Sequence, residues 1–179
     1  MKKSLYNGQR GFTIIEVVLV LGIAGLIFLM VFIALPALQR TQRDSARRDD
    51  VLLLLRKVKD YQTNNRGALP NGVGSTIAYN ATPADRTNWE GFYHDYLGDG
   101  FDDPNGTQYV LNVAACGASS SGSKCTNALT DTTVFPNDFK ITIFKGATCS
   151  GSDAVATNNP RKIAVQYKLE GGGVICENT

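Results

Sequence analysis

The chain has 179 residues, with 18 Lys and Arg against 16 Asp and Glu and a single His, so it is close to neutral. That size suits one domain plus an appendage, and the charge balance excludes a strong polyelectrolyte partner. Beyond Pro70 the count turns acidic, 7 basic against 11 acidic residues, which argues against direct nucleic-acid binding by the distal part, because counterion release needs a concentrated positive surface.

Residues 1–11, "MKKSLYNGQRG", begin short, basic and polar, in the manner of a targeting leader rather than a structural element. From Val17 to Leu38 no charged residue occurs over 22 positions. At about 1.5 Å per residue that run crosses a hydrocarbon core of about 30 Å, so residues 12–38 are expected to form a membrane-spanning helix. The run is too long for the apolar core of a cleaved secretory signal, which spans about 7 to 15 residues. Lys2, Lys3 and Arg10 favour a cytoplasmic N-terminus, while Arg40, Arg43, Arg47 and Arg48 flank the other end.

No Gly or Pro interrupts Ala37 to Arg66, and the spacing predicts that the helix continues as an amphipathic segment over residues 39–69. Val51, Leu54, Leu55, Val58 and Tyr61 recur at helical intervals and form one apolar stripe aimed at a distal sheet, with Leu52 and Leu53 partly off it and available to another subunit. Residues 70–179 are expected to form a globular head. "NNRGALPNGVGSTIAYNATPADRTN" is rich in turn formers and reads as loop, and "WEGFYHDYL" as a short helical turn. Beyond it "TQYVLNV", "FKITIFK", "RKIAVQYKLE" and "GGGVICE" carry strand composition, suited to an antiparallel sheet joined by hairpins. In the third of these, Ile163, Val165, Tyr167 and Leu169 alternate with Lys162, Ala164, Gln166 and Lys168, which predicts one buried and one wet face. The fold class is therefore α+β.

Four cysteines, Cys116, Cys125, Cys149 and Cys176, all lie in the second half without a zinc-ligand arrangement. An even number beyond a hydrophobic N-terminal segment reads as two disulfides outside the reducing cytoplasm. Three pairings are open. Cys116 with Cys125, closing a small loop, and Cys149 with Cys176, tying a loop to the last strand, are favoured, each stabilising the head by about 3 kcal/mol.

"LGDGFDDPNGTQY" gathers Asp99, Asp102, Asp103 and Asn105 among glycines, an oxygen-rich set of the type that holds calcium, although the spacing does not match an EF-hand loop and a plain turn is favoured. His94 stands without the nucleophile signature of a catalytic site, so no enzyme activity is expected. Trp89, Phe92, Tyr93 and Tyr96 around it read as a packed satellite cluster rather than a stacking platform for bases.

One short stretch carries the functional meaning. In "GFTIIEVVLVLGIAGLIF" a glycine ends the basic leader, an aromatic follows, and Glu16 stands alone at the head of the apolar run. This compound signal resembles the N-terminus of the type IV pilin superfamily over about residues 1–65. The resemblance implies a pilin fold, a long helix against a small disulfide-bonded head. It implies cleavage after Gly11 by prepilin peptidase, N-methylation of Phe12, and Glu16 as an assembly residue. Gly25 matches the family's helix-softening glycine, whereas Pro36 is displaced by three residues from the usual proline position. It further implies a homo-oligomeric helical filament built by a pilus assembly platform in the membrane. The chain would be a single-pass membrane precursor and then an extracellular surface filament subunit. A pseudopilin or minor pilin of a secretion or DNA-uptake machine is the neighbouring reading; a monomeric membrane-anchored binding domain is the more distant one. "DPNGTQY" is similar to the Asp-Pro turn of pseudopilins, some of which bind calcium nearby. Adhesion, motility, uptake and secretion depend on partners encoded elsewhere.

The physics of Glu16 stands beside the resemblance. A lone carboxylate near a lipid interior costs several kcal/mol unless paired or snorkelled to the interface. Cleavage after Gly11 creates an amine at Phe12, and in a helical stack the amine of one subunit is placed to approach Glu16 of its neighbour, making Glu16 a register key.

Overall fold

Helix α1 (Ile14–Asn64) is the first described element and contains Gly22, Gly25 and Pro36 without interruption. The computed structural model describes residues 11–117, 120–126 and 140–179, without the side chains of Ser75 and Thr76. The leader at 1–10 and Phe139 of "FKITIFK" therefore lie outside the described residues. The chain divides into two units after Gln39.

In the first unit the large apolar side chains from Phe12 to Leu38 are exposed among the described residues. Phe12 is 89% exposed and Phe32 72%. The helix is long and apolar enough to cross a membrane. A continuous apolar surface on this scale marks a lipid or protein contact, because leaving it in water forfeits about 25 cal/mol per Å².

In the second unit the remainder of α1 packs on a five-stranded sheet of order β1-β2-β3-β6-β7, comprising β1 (Gly74–Ile77), β2 (Val110–Ala115), β3 (Lys140–Lys145), β6 (Ile163–Lys168) and β7 (Val174–Asn178). The predicted stripe Val51, Leu54, Leu55, Val58 and Tyr61 is buried, while Leu52 and Leu53 remain exposed. Across from the stripe lie Leu111, Val113, Ile141, Ile143, Ile163, Val165 and Tyr167. The turn after α1 uses Arg66 and Gly67 at positive φ, a left-handed stop of the usual helix-ending type.

Three of the four strand pairings in this sheet are antiparallel, and β2 with β3 is parallel. The departure from a purely hairpin-joined sheet follows from chain length. Parallel neighbours need a crossover of a dozen or more residues, and positions 116–139 supply it. The segment read as loop also contributes β1, whose register with β2 shifts between Gly74 and Ile77. Its turn-forming composition hid a short edge strand.

A second correction concerns the far face of the sheet, which was expected to be wet. Ala164 and Gln166 are fully buried there, under the hairpin β4 (Ala147–Ser150) and β5 (Asp153–Ala156). A small second core joins Phe144, Ala147, Ala154, Ala164 and Cys125. Both disulfides belong to this layer: Cys116 is bonded to Cys125, and Cys149 in β4 to Cys176 in β7. The Gln166 amide nitrogen donates to Ser152 O at 2.6 Å, which satisfies a polar group that burial would otherwise penalise.

Helix α2 (Trp89–Phe92) leads into a π-helical turn, Tyr93–Leu97, and the Asn88 side chain caps it by accepting from Glu90 N and Gly91 N. Trp89, Phe92 and Tyr93 are fully buried and belong to the main core, together with Phe101 and Tyr109. They are not a satellite cluster. The Tyr93 hydroxyl reaches Tyr109 O at 2.8 Å, so the aromatic body is buried with its polar tip paired.

Candidate processing and assembly site

Thr13 and Glu16 form a reciprocal cap at the start of α1. Thr13 precedes the first helical residue, and its N–H and hydroxyl both donate to Glu16 Oε2, at 3.0 and 2.9 Å. The Glu16 N–H donates back to Thr13 Oγ1 at 3.4 Å. A helix leaves its first N–H groups without partners, and a Thr at the cap with Glu three residues on satisfies two of them together. The acid also complements the positive end of the helix dipole. The T-x-x-E spacing of "TIIE" is the local sequence signal for this cap.

This cap leaves capacity to spare. Both bonds from Thr13 fall on Oε2, and among the described residues Oε1 has no partner. Phe12 immediately precedes the cap and is 89% exposed. Gly11 and Gly25 have open space around them, with nothing within 4 Å of where a Cβ would lie. The four residues singled out from the sequence here, Gly11, Phe12, Glu16 and Gly25, thus lie on one exposed segment, with Glu16 presenting an acceptor.

A second charged assembly holds the proximal head to α1. The Arg47 guanidinium straddles Asp103, Nε to Oδ2 at 2.6 Å and Nη2 to Oδ1 at 3.1 Å. Both side chains are buried, and Asp103 also accepts from Asn105 N at 2.9 Å. Asp44 accepts from Glu170 N at 2.9 Å and Gly171 N at 2.8 Å, fixing the β6–β7 turn. Glu170 in turn takes two bonds from Arg43, at 2.6 and 2.9 Å, and one from Arg47. The Arg43 bonds, with Arg47 beside them, hold the Glu170 carboxyl down at about 2. A side chain at Gly171 would meet Asp44 Oδ2 at 2.9 Å, so the turn admits only glycine without adjustment.

The oxygen set considered for calcium is not gathered at one point. Asp103 is buried with both oxygens on Arg47, whereas Asp99, Asp102 and Asn105 are exposed. Among the described residues no group of three or more His, Cys, Asp or Glu is arranged to hold a metal ion. Asp103 to Thr107 instead close a turn through Gly106 N to Asp103 O at 2.7 Å and Asp103 N to Thr107 O at 2.8 Å. His94 stacks on Tyr79 with ring centroids 5.6 Å apart, and its Nδ1 lies 2.7 Å from an Asp95 oxygen that Arg86 also holds.

Residues 6–32 match the family model described as the prokaryotic N-terminal methylation motif. No curated protein and no solved structure matches the chain. The matched span contains Gly11, Phe12, the Thr13–Glu16 cap and the exposed apolar stretch of α1 through Phe32.

Proposed function

From a chain that carries the prepilin-type N-terminal motif characteristic of type IV pilins and pseudopilins, we propose a structural subunit of a type IV pilus-like surface filament. The precursor is anchored by α1, trimmed after Gly11 by prepilin peptidase, methylated on the new Phe12 amine, and polymerised by an assembly platform through its N-terminal helix. The observation that carries this reading is the motif match over residues 6–32, whose part from Ile14 onward lies on a helix with its large apolar side chains exposed. In the bilayer lipid covers that surface; in a filament the same surface of neighbouring copies covers it.

Glu16 has the chemistry of the register element. Its Oε2 is occupied by the cap, and Oε1, without a partner among the described residues, accepts from a neighbour's Phe12 amine. A charge left unpaired in an apolar filament core is expensive, so only the axial offset that joins amine to carboxylate is stable.

Mass spectrometry of surface filaments sheared from cells tests the reading. The expected N-terminal peptide begins at methylated Phe12. An intact Met1 terminus, or a protein confined to the membrane as a monomer, would overturn it. Abundance of the chain along those filaments distinguishes a major subunit from a pseudopilin or minor component.

A further inference from the structure

Four cations converge on an open cleft at the distal end of α1, bounded by Lys59, Arg66, Arg161 and Lys162, with a volume of about 670 Å³. Among the described residues none of the four charged groups is in an ion pair. The contrast with Arg40, Arg43, Arg47, Arg86 and Lys124, each within 4 Å of a carboxylate, is plain. The cleft is built rather than incidental. Gln62 Nε2 donates to Arg161 O at 2.8 Å, and Arg161 N donates to Asn159 Oδ1 at 3.0 Å, which fixes the turn before β6 against the helix. Thr179 completes the wall, and even a full carboxylate there leaves the cleft net positive.

The opposite end of the same helical segment presents the opposite sign. Asp99 and Asp102 are exposed and, among the described residues, in no ion pair, in a loop held at its base by the buried Asp103–Arg47 contact. Arg47 and Gln62 are 15 residues apart on α1, so Asp102, next to Asp103, is separated from the basic cleft by about 22 Å along the helix axis, while Asp99 falls in the chain between Asp103 and Tyr96, whose hydroxyl accepts from Asn64 Nδ2 at 3.0 Å. Asp102 cannot reach the cleft of its own chain.

We propose that the basic cleft docks the Asp99–Asp102 loop of a second copy of this chain, in a head-to-tail contact that repeats along the filament. A contact between two different patches is heterologous, and repeated without closure it generates an open helical array. Long phosphate polymers fit the cleft less well, because the surrounding head is acidic and no aromatic side chain lines it for base stacking. Solvated charge pairs of this kind set orientation and partner choice more than strength. The proposal rests on the filament reading above and gives the two heads a defined axial order.

Zero-length carbodiimide coupling of unmodified sheared filaments tests it without any variant. The expected product joins Lys59 or Lys162 to Asp102, a linkage only two copies can make. In cells, Arg161→Glu with Lys162→Glu should lower filament yield about tenfold, and adding Asp99→Lys with Asp102→Lys should restore most of it. Filaments whose lysines couple only to other carboxylates, or not at all, overturn the docking and leave the filament reading intact. The docking is likewise overturned if an oligonucleotide shields Lys59 and Lys162 while no coupling to the acidic loop occurs. A chain that forms no filaments in its unmodified form overturns both.

Discussion

Arg47 on α1 and Asp103 in the loop before β2 face each other in a two-bond contact sealed from solvent, 56 residues apart in sequence. Removing Arg47 strands Asp103 as a buried charge, which costs about 3–5 kcal/mol, whereas removing Asp103 leaves Arg47 paired with Asp44 and Glu170 and costs less. Arg47→Ala should lower the unfolding free energy of the detergent-solubilised protein, read from urea titration, by an amount in that range, and Asp103→Ala by less. The single tryptophan, Trp89, is buried and reports the transition by fluorescence. The pair Arg47→Met with Asp103→Leu should recover part of the loss, because the buried Asp103 charge goes with its partner; Asn105 N still loses its acceptor, and Asp44 and Glu170 each lose an ion pair.

Acid should loosen the same junction in a defined window. Glu170 is held near 2 by Arg43 and Arg47, against about 4.3 in an unfolded chain. A depressed carboxylate stabilises the fold fully above the unfolded value and loses that contribution as pH falls toward the folded one. Thermal midpoints should thus fall between about pH 4.5 and 2. Asp50 opposes this, since burial raises its carboxyl despite the Tyr109 bond, so protonating it relieves a cost. Glu170→Gln should lower the neutral plateau and flatten the acid limb; an unchanged limb would refute the assignment.

Gly91 has no room for a side chain. A Cβ there would lie 2.4 Å from Arg86 Cα and 2.6 Å from Arg86 O, both backbone atoms. The loop before α2 crosses directly over the helix, and a methyl group forces one of them to move. Gly91→Ala should cost about 1–3 kcal/mol or more in urea unfolding, with the disulfides intact on non-reducing gels.

How much of this was readable beforehand differs by element. The α1 stripe was readable because Val51, Leu54, Leu55, Val58 and Tyr61 repeat at the helical period and every one is buried. The hairpin β4–β5 was not, since "ATCS" and "DAVA" are four-residue strands of small side chains with almost no pattern. The same smallness hid the second core: Ala164 and Gln166 look like an exposed face until a hairpin covers them. The Arg47–Asp103 contact joins distant segments and has no local signature. The Thr13–Glu16 cap did have one, three residues apart, and was overlooked because the membrane setting of Glu16 drew the interpretation elsewhere.

Capping and charge at Glu16 are separable. Glu16→Gln keeps an acceptor for the Thr13 N–H and removes the charge, whereas Thr13→Val removes the hydroxyl and keeps the charge. Thr13→Val should weaken the first turn by about 1 kcal/mol and reduce sheared filaments only modestly. Glu16→Gln and Glu16→Ala should both abolish filaments, with cleavage after Gly11 still visible on an immunoblot. Normal filaments from Glu16→Gln would assign the residue to capping alone.

Strand β6 lies alongside α1 and is fastened to it near both ends, by Gln62 at Arg161 and by Asp44, Arg43 and Arg47 at the turn after Lys168. A pull along the axis of α1 therefore loads these fastenings side by side, in shear, instead of peeling them apart in sequence. The arrangement behaves as a splint. Residues 43–62 of the helix can stretch or unwind only if the strand gives way with them, which makes the distal half of α1 the stiff part of a rod under tension.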